Sequence, residues 1–140
     1  MKILVPVDGS AFTNRMLAYS AAHQDFMGPQ HEYTIMNAVA AVPPRAAAVI
    51  EKETLAAYYR DEAEKVFKPI RTFFTRQGLK AAFVTKIGPA AENISALANK
   101  GGYDLLVLGS HGHGTLTGLV MGSTSTKVVA QCSTPVLLVR

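Results

Sequence analysis

The segment from Gly109 to Thr126, GSHGHGTLTGLVMGSTST, concentrates residue types that can hold an anion. Of its 18 residues, five are glycine and seven are serine or threonine. Glycines let backbone N–H groups approach a ligand with no Cβ in the way, and hydroxyls add short donors. A helix starting near Ser123 adds unpaired N–H groups and the positive end of its dipole. Together these parts make a phosphate cradle; the same composition also suits a surface loop ending in an ordinary helix cap. After Asp104 no acidic residue follows, while Lys127 and Arg140 remain, so the last quarter of the chain favours an anion.

Two better-known phosphate motifs are absent. No G-x-x-x-x-G-K-[ST] occurs, which excludes a P-loop NTPase. Gly112-x-Gly114 with Gly118 lacks the G-x-G-x-x-G spacing and sits too late in the chain for a dinucleotide fingerprint. Asp8, in Asp8-Gly9-Ser10, is an acceptor suited to ribose hydroxyls or an exocyclic amine, and is equally suited to capping a turn or helix. His111 and His113 have no carboxylate or cysteine near them in sequence, which argues against a protein-held metal; His111 is the better candidate to face a phosphate. His23 and His31 read as structural. Cys132 reads as a small buried residue with no base to activate it, and Lys127 either reaches a phosphate or stays solvated.

These residues need a scaffold. A chain of 140 residues suits one domain spanning 1–140, and 49% hydrophobic with 17% charged residues excludes a disordered chain. One cysteine excludes an internal disulfide and fits a reducing, cytoplasmic setting. No apolar run approaches the ~18 residues of a membrane span. The net charge of +4 is scattered, with no two Lys or Arg adjacent, which argues against a nucleic-acid partner.

Short apolar runs alternate with amphipathic ones. Strands are expected at Lys2–Val7, Tyr33–Val42, Leu79–Ile87, Asp104–Leu108 and Pro135–Val139. Helices are expected at Ala11–Phe26, Glu51–Gln77 (kinked or broken at Pro69), after Pro89 to Asn99, and at Ser123–Gln131; 45–50 reads as an alanine-rich connection. This alternation predicts a parallel sheet covered on both faces, a three-layer doubly wound α/β sandwich. Ligands of such sheets bind beyond the strand carboxyl ends, at the turns after Val7, Val42, Ile87 and Leu108.

Gly109-Ser110-His111-Gly112, nine residues, then Gly122-Ser123 fits G-x2-G-x9-G-[ST], and here the chain resembles the ATP-binding branch of the universal stress protein family. ILVPVDGS (Ile3–Ser10), Gly88-Pro89-Ala90, YDLLVLGSHG (Tyr103–Gly112) and TPVLLVR (Thr134–Arg140) resemble it in the same order, so the likeness covers essentially the whole chain. It implies a Rossmann-like, adenine nucleotide alpha hydrolase-like fold, a five-stranded parallel sheet of order 3-2-1-4-5. ATP, with Mg²⁺ on its phosphates, is then expected against Pro6, Val7, Asp8 and Ala38, with Gly109, Ser110, His111 and Gly112 near ribose and phosphates and Gly122, Ser123, Thr124 and Ser125 at the helix start. Two departures stand out: Thr124 replaces an apolar residue, and Asn37-Ala38 replaces a common His-Val pair, leaving a smaller surface for adenine.

The last strand ends with nothing over its outer edge, and such edges invite pairing. The resemblance implies a homodimer through Val136, Leu137, Leu138 and Val139. The expected function is adenine-nucleotide binding in a regulatory or stress-response role; the parts of a rapid ATPase, a P-loop lysine and a second acidic residue at the fourth-strand turn, are missing. The alternative is a dimeric interaction module that binds no ATP or another anion such as AMP or cyclic AMP.

Overall fold

A computed structural model describes residues 1–113 and 120–140, so 114–119 of the glycine-rich segment, with Gly114 and Gly118, lie outside the described residues. The strands are β1 (Lys2–Pro6), β2 (Glu32–Val39), β3 (Ala81–Ile87), β4 (Leu105–Gly109) and β5 (Val136–Val139). They form one parallel sheet of order β3-β2-β1-β4-β5. The helices are α1 (Ala11–Ala22), α2 (Gln24–Met27), α3 (Pro44–Ala47), α4 (Lys52–Arg76), α5 (Ala90–Lys100) and α6 (Ser123–Gln131).

Strand alternation divides the apolar residues between two cores. Ile3, Val5 and Val7 of the first strand and its turn face one side, with Met16 of α1 and Phe67, Ile70 and Phe74 of α4. Leu4, Leu106 and Leu108 face the other, with Ile94 of α5 and Val128 of α6. Central strands buried on both faces read as continuous apolar runs, which is why β1 and β4 are so plain in the sequence.

Several boundaries differ from expectation. β2 ends at Val39, and the expected Ala11–Phe26 helix is two, α1 and α2. The connection 45–50 contains the short α3. The long helix α4 runs its full 25 residues through Pro69. Pro69 and Lys65, whose carbonyl loses its partner, are both exposed, so water can replace the missing bond. On the buried side Phe67, Ile70 and Phe74 hold the helix against the sheet.

Pro6 shapes the centre of the sheet. The Val7 amide donates to Met36 O of β2 over 2.8 Å. Neighbouring residues of a strand point their amides to opposite sides, so the Pro6 nitrogen faces β4 and carries no hydrogen to donate. The register of β1 with β4 stops at Ile3–Leu105 and Leu4–Leu106. β1 and β4 therefore separate at their carboxyl ends, where the strand order reverses and a crevice opens.

Candidate functional site

A cavity of about 190 Å³ occupies this crevice. Pro6, Val7 and Asp8 end the β1 side, Ala38 sits near the end of β2, and Gly109 ends β4. His111 and Gly112 follow β4, and Gly122, Ser123, Thr124 and Ser125 open α6. Met16, Met36 and Ile94 supply apolar wall from both faces of the sheet. Of the residues singled out in the sequence for this place, Ser110 alone is not on the wall. It is buried, and its Oγ lies 2.9 Å from His111 Nδ1.

The start of α6 faces this cavity. Gly122, at the N-cap, offers no side-chain cap. The amides of Ser123, Thr124 and Ser125 fall in the first turn, where the helix itself contains no acceptor for them. The Ser125 hydroxyl is committed elsewhere, donating to Gly109 O over 2.7 Å and tying the helix start to the end of β4. What α6 presents is therefore backbone N–H groups and its positive dipole end, with Ser123 and Thr124 on the wall.

Asp8 is held in one position. Its Oδ1 accepts from the Ser10 amide (2.9 Å) and from Thr13 Oγ1 (3.0 Å). Thr13 Oγ1 lies 3.2 Å from the amides of Asp8 and Gly9. Gly9, at φ +77°, turns the chain there in a conformation other residues adopt poorly. The turn reading of Asp8 is seen in Oδ1, which braces the turn, while Oδ2 lies toward Gly112. A Cβ on Gly112 would stand 2.5 Å from that Oδ2, so only glycine lets the loop pass the carboxylate at this distance.

Besides the apolar Met16, Met36, Ala90 and Ile94, sequence reasoning missed Phe12, Thr13, Asn37 and His113 on the wall. Phe12 lies beside the His111 ring, with centroids 4.9 Å apart, and the Arg15 guanidinium sits 4.7 Å from the Phe12 centroid. This stack brings positive charge close to the glycine turn. His113 Nε2–H donates to Asp8 O over 2.6 Å. Asn37 Nδ2 donates to Val7 O over 2.8 Å. The spacing Asp8 to Thr13, from the turn into the first turn of a helix, is the one signal in sequence that could have found a member of this set.

Lys127 and Cys132 do not line the cavity; Lys127 is exposed and Cys132 is partly buried against the α5–α6 core. His23 Nδ1–H donates to Tyr19 O, and His31 bridges the amino terminus and Phe26 O; neither lines the cavity. Among the described residues no group of three or more His, Cys, Asp or Glu could hold a metal ion, and no helix is long and apolar enough to cross a membrane.

A doubly wound parallel sheet with an open crevice at its switch point places this chain among the α/β proteins whose folds bind ligands at that position. The profile described as "Universal stress protein family" matches residues 1–140, and the chain belongs to that family. Universal stress protein Slr1230 of Synechocystis sp. is 30% identical over 140 residues, which is 99% of this chain and 42% of that protein. The chain thus spans less than half of that relative. The solved structure of MJ0577, a protein of Methanocaldococcus jannaschii, has 25% identity and a TM-score of 0.79, covering 99% of this chain and 94% of its own. A universal stress protein solved in complex with cAMP has 21% identity and a TM-score of 0.71, covering 100% of this chain and 97% of its own.

Proposed function

We propose that this chain is an ATP-binding universal stress protein with a regulatory or stress-response role in the cytoplasm. The observation that carries the reading is the uncapped first turn of α6 opening onto the crevice beside Asp8. Along the carboxyl edge the groups fall in the order α6 and β4, then β1 with Asp8, then β2 with Ala38. That is the order phosphate, ribose, base, laid over two strand spacings of about 4.8 Å each. The phosphates take the amides of Ser123, Thr124 and Ser125; Asp8 Oδ2, which has no partner among the described residues, takes a ribose hydroxyl; the apolar walls of Met36, Ala38 and Ile94 take the base. The G-x2-G-x9-G-[ST] spacing from Gly109 to Ser123 supports the triphosphate over a shorter ligand.

Asp8 is the one carboxylate among the described wall residues. Mg²⁺ fits this wall as an ion brought by the nucleotide, held mainly by phosphate oxygens and water. It supplies charge neutralisation; the chain's own residues bind and orient the nucleotide.

A second reading is favoured by the ligands of related structures. Besides the cAMP complex, a universal stress protein of Arabidopsis thaliana at 12% identity was solved with AMP, and one from Archaeoglobus fulgidus at 16% with dAMP. The site then takes a nucleoside monophosphate. In either reading two copies pair through β5, whose outer edge has no partner strand among the described residues. Thermal shift with ATP, ADP, AMP and cAMP, with and without Mg²⁺, decides. A ligand at a hundred times its Kd stabilises by about 2.7 kcal/mol. The ATP reading requires the largest shift with ATP and Mg²⁺; a larger shift with AMP or cAMP supports the second reading, and no shift with any nucleotide overturns both.

A further inference from the structure

The wall of the crevice is short of positive charge. Among the described residues no lysine or arginine lies on it, and its one carboxylate is Asp8. The start of α6 supplies only about half a positive charge. A nucleoside triphosphate exceeds that in negative charge even with Mg²⁺ on its phosphates. A cation within reach of the outer phosphates would complete the site.

A line of contacts leads from the start of α6 to such a cation. A Cβ on Gly122, the N-cap of α6, would stand 3.3 Å from His111 Cα. The His111 ring lies 4.9 Å from that of Phe12, and the Arg15 guanidinium lies 4.7 Å from the Phe12 centroid. Gly109, which closes β4, passes equally close, since its Cβ would stand 3.1 Å from Phe12 Cβ. Three positions apart on α1, Phe12 and Arg15 share one flank of the helix. Thr13 lies on another flank and bonds the Asp8 turn. Arg15 therefore stands on the β4 side of the crevice, the side given to the phosphates.

Arg15 is exposed, and among the described residues its side chain makes no ion pair or hydrogen bond. What holds it is an aromatic face. A guanidinium stacks on such a face and also grips phosphate oxygens with a planar fork of N–H donors. We propose that Arg15 sets the preference of this site for phosphate number. Kept beside the glycine turn by Phe12, it takes the terminal phosphate of a triphosphate, while a monophosphate seated on the α6 amides stops short of it. The inference rests on the nucleotide reading of the crevice and adds the residue that separates its triphosphate and monophosphate forms.

The test is calorimetric titration of the full chain and of Arg15→Gln with ATP and with AMP, each with Mg²⁺. Arg15 lies on an exposed helix surface, so the variant keeps the fold, as circular dichroism will check. Arg15→Gln is expected to weaken ATP binding roughly tenfold, the loss of a charge-assisted hydrogen bond. Its affinity for AMP is expected to stay within about twofold of the natural sequence, since an exposed charge not in contact is screened. Unchanged ATP affinity in Arg15→Gln overturns the inference, as does an equal loss for ATP and AMP; either result leaves the nucleotide reading standing. Binding of neither nucleotide by the natural sequence overturns both.

Discussion

His113 Nε2–H donates to the main-chain carbonyl of Asp8 over 2.6 Å, joining residues 105 positions apart. The glycine turn after β4 is thereby fastened to the turn after β1, across the mouth of the crevice. His113 is exposed, so the bond competes with water and its net contribution is about 1 kcal/mol. His113→Ala is expected to lower the unfolding free energy by no more than that in urea titration. The same variant is expected to weaken ATP binding by a few-fold, since the turn must be ordered by the ligand.

Gly112→Ala tests the other side of the same contact. Its Cβ would stand 2.5 Å from Asp8 Oδ2, which forces the loop or the carboxylate to move. Asp8 is braced by Ser10 and Thr13, so the loop gives way. Nucleotide affinity is expected to fall at least tenfold, roughly 1.4 kcal/mol, with the melting temperature changing by only a few degrees. Unchanged affinity in fluorescence titration contradicts this.

The buried Tyr33 gives a pH signature unrelated to the ligand. Burial pushes its hydroxyl up to about 12, and that hydroxyl donates to Gly28 O over 2.9 Å. The folded value lies above the unfolded value near 10. The associated stability is therefore intact below pH 10 and is lost as pH rises from 10 through 12. Tyr33→Phe is expected to cost about 1 kcal/mol at pH 7 and to flatten the fall in stability above pH 10. Parallel urea titrations at pH 7 and pH 11 check both.

The β5 edge predicts an assembly. Pro135 O and Val139 O accept from β4, so by alternation the amides of Val136 and Leu138 point outward. A lysine on an edge strand discourages pairing with another chain. Leu138→Lys is expected to halve the mass seen by light scattering, with circular dichroism confirming that the fold is kept. An unchanged mass in a folded variant excludes β5 as the interface.

The features legible in the sequence were those written in local pattern. The apolar runs around Leu4 and Leu106 announced central strands, and Gly122-Ser123 announced a helix start facing a glycine-rich turn. Asp8 was legible as a turn residue, but Thr13 as its brace was not, because that contact needs α1 folded back on the turn. Ser125 reads in sequence only as one of the phosphate-holding residues at the helix start; that its hydroxyl donates to Gly109 O is set by how α6 meets β4. Asn37 read as one member of a small pair. Its bond to Val7 O is an inter-strand contact, which no single-strand pattern contains. Pro69 signals a kink or a break; α4 is continuous through it, held to the sheet by Phe67, Ile70 and Phe74.

Ser123→Glu separates binding from stability at the helix that matters most. A carboxylate in the first turn complements the dipole and stabilises by about 0.3–1 kcal/mol, while it repels a phosphate from the same amides. The variant is expected to melt at or above the temperature of the natural sequence and to lose its thermal shift with ATP and Mg²⁺.

The backbone amides themselves can be observed one by one. In a ¹H–¹⁵N correlation spectrum titrated with ATP and Mg²⁺, the amide signals of Ser123, Thr124 and Ser125 are expected to shift most, saturating together with those of Gly109 and Gly112. Saturable shifts confined to another surface, or no shift at these three amides at millimolar ATP, contradict a phosphate seat at the start of α6.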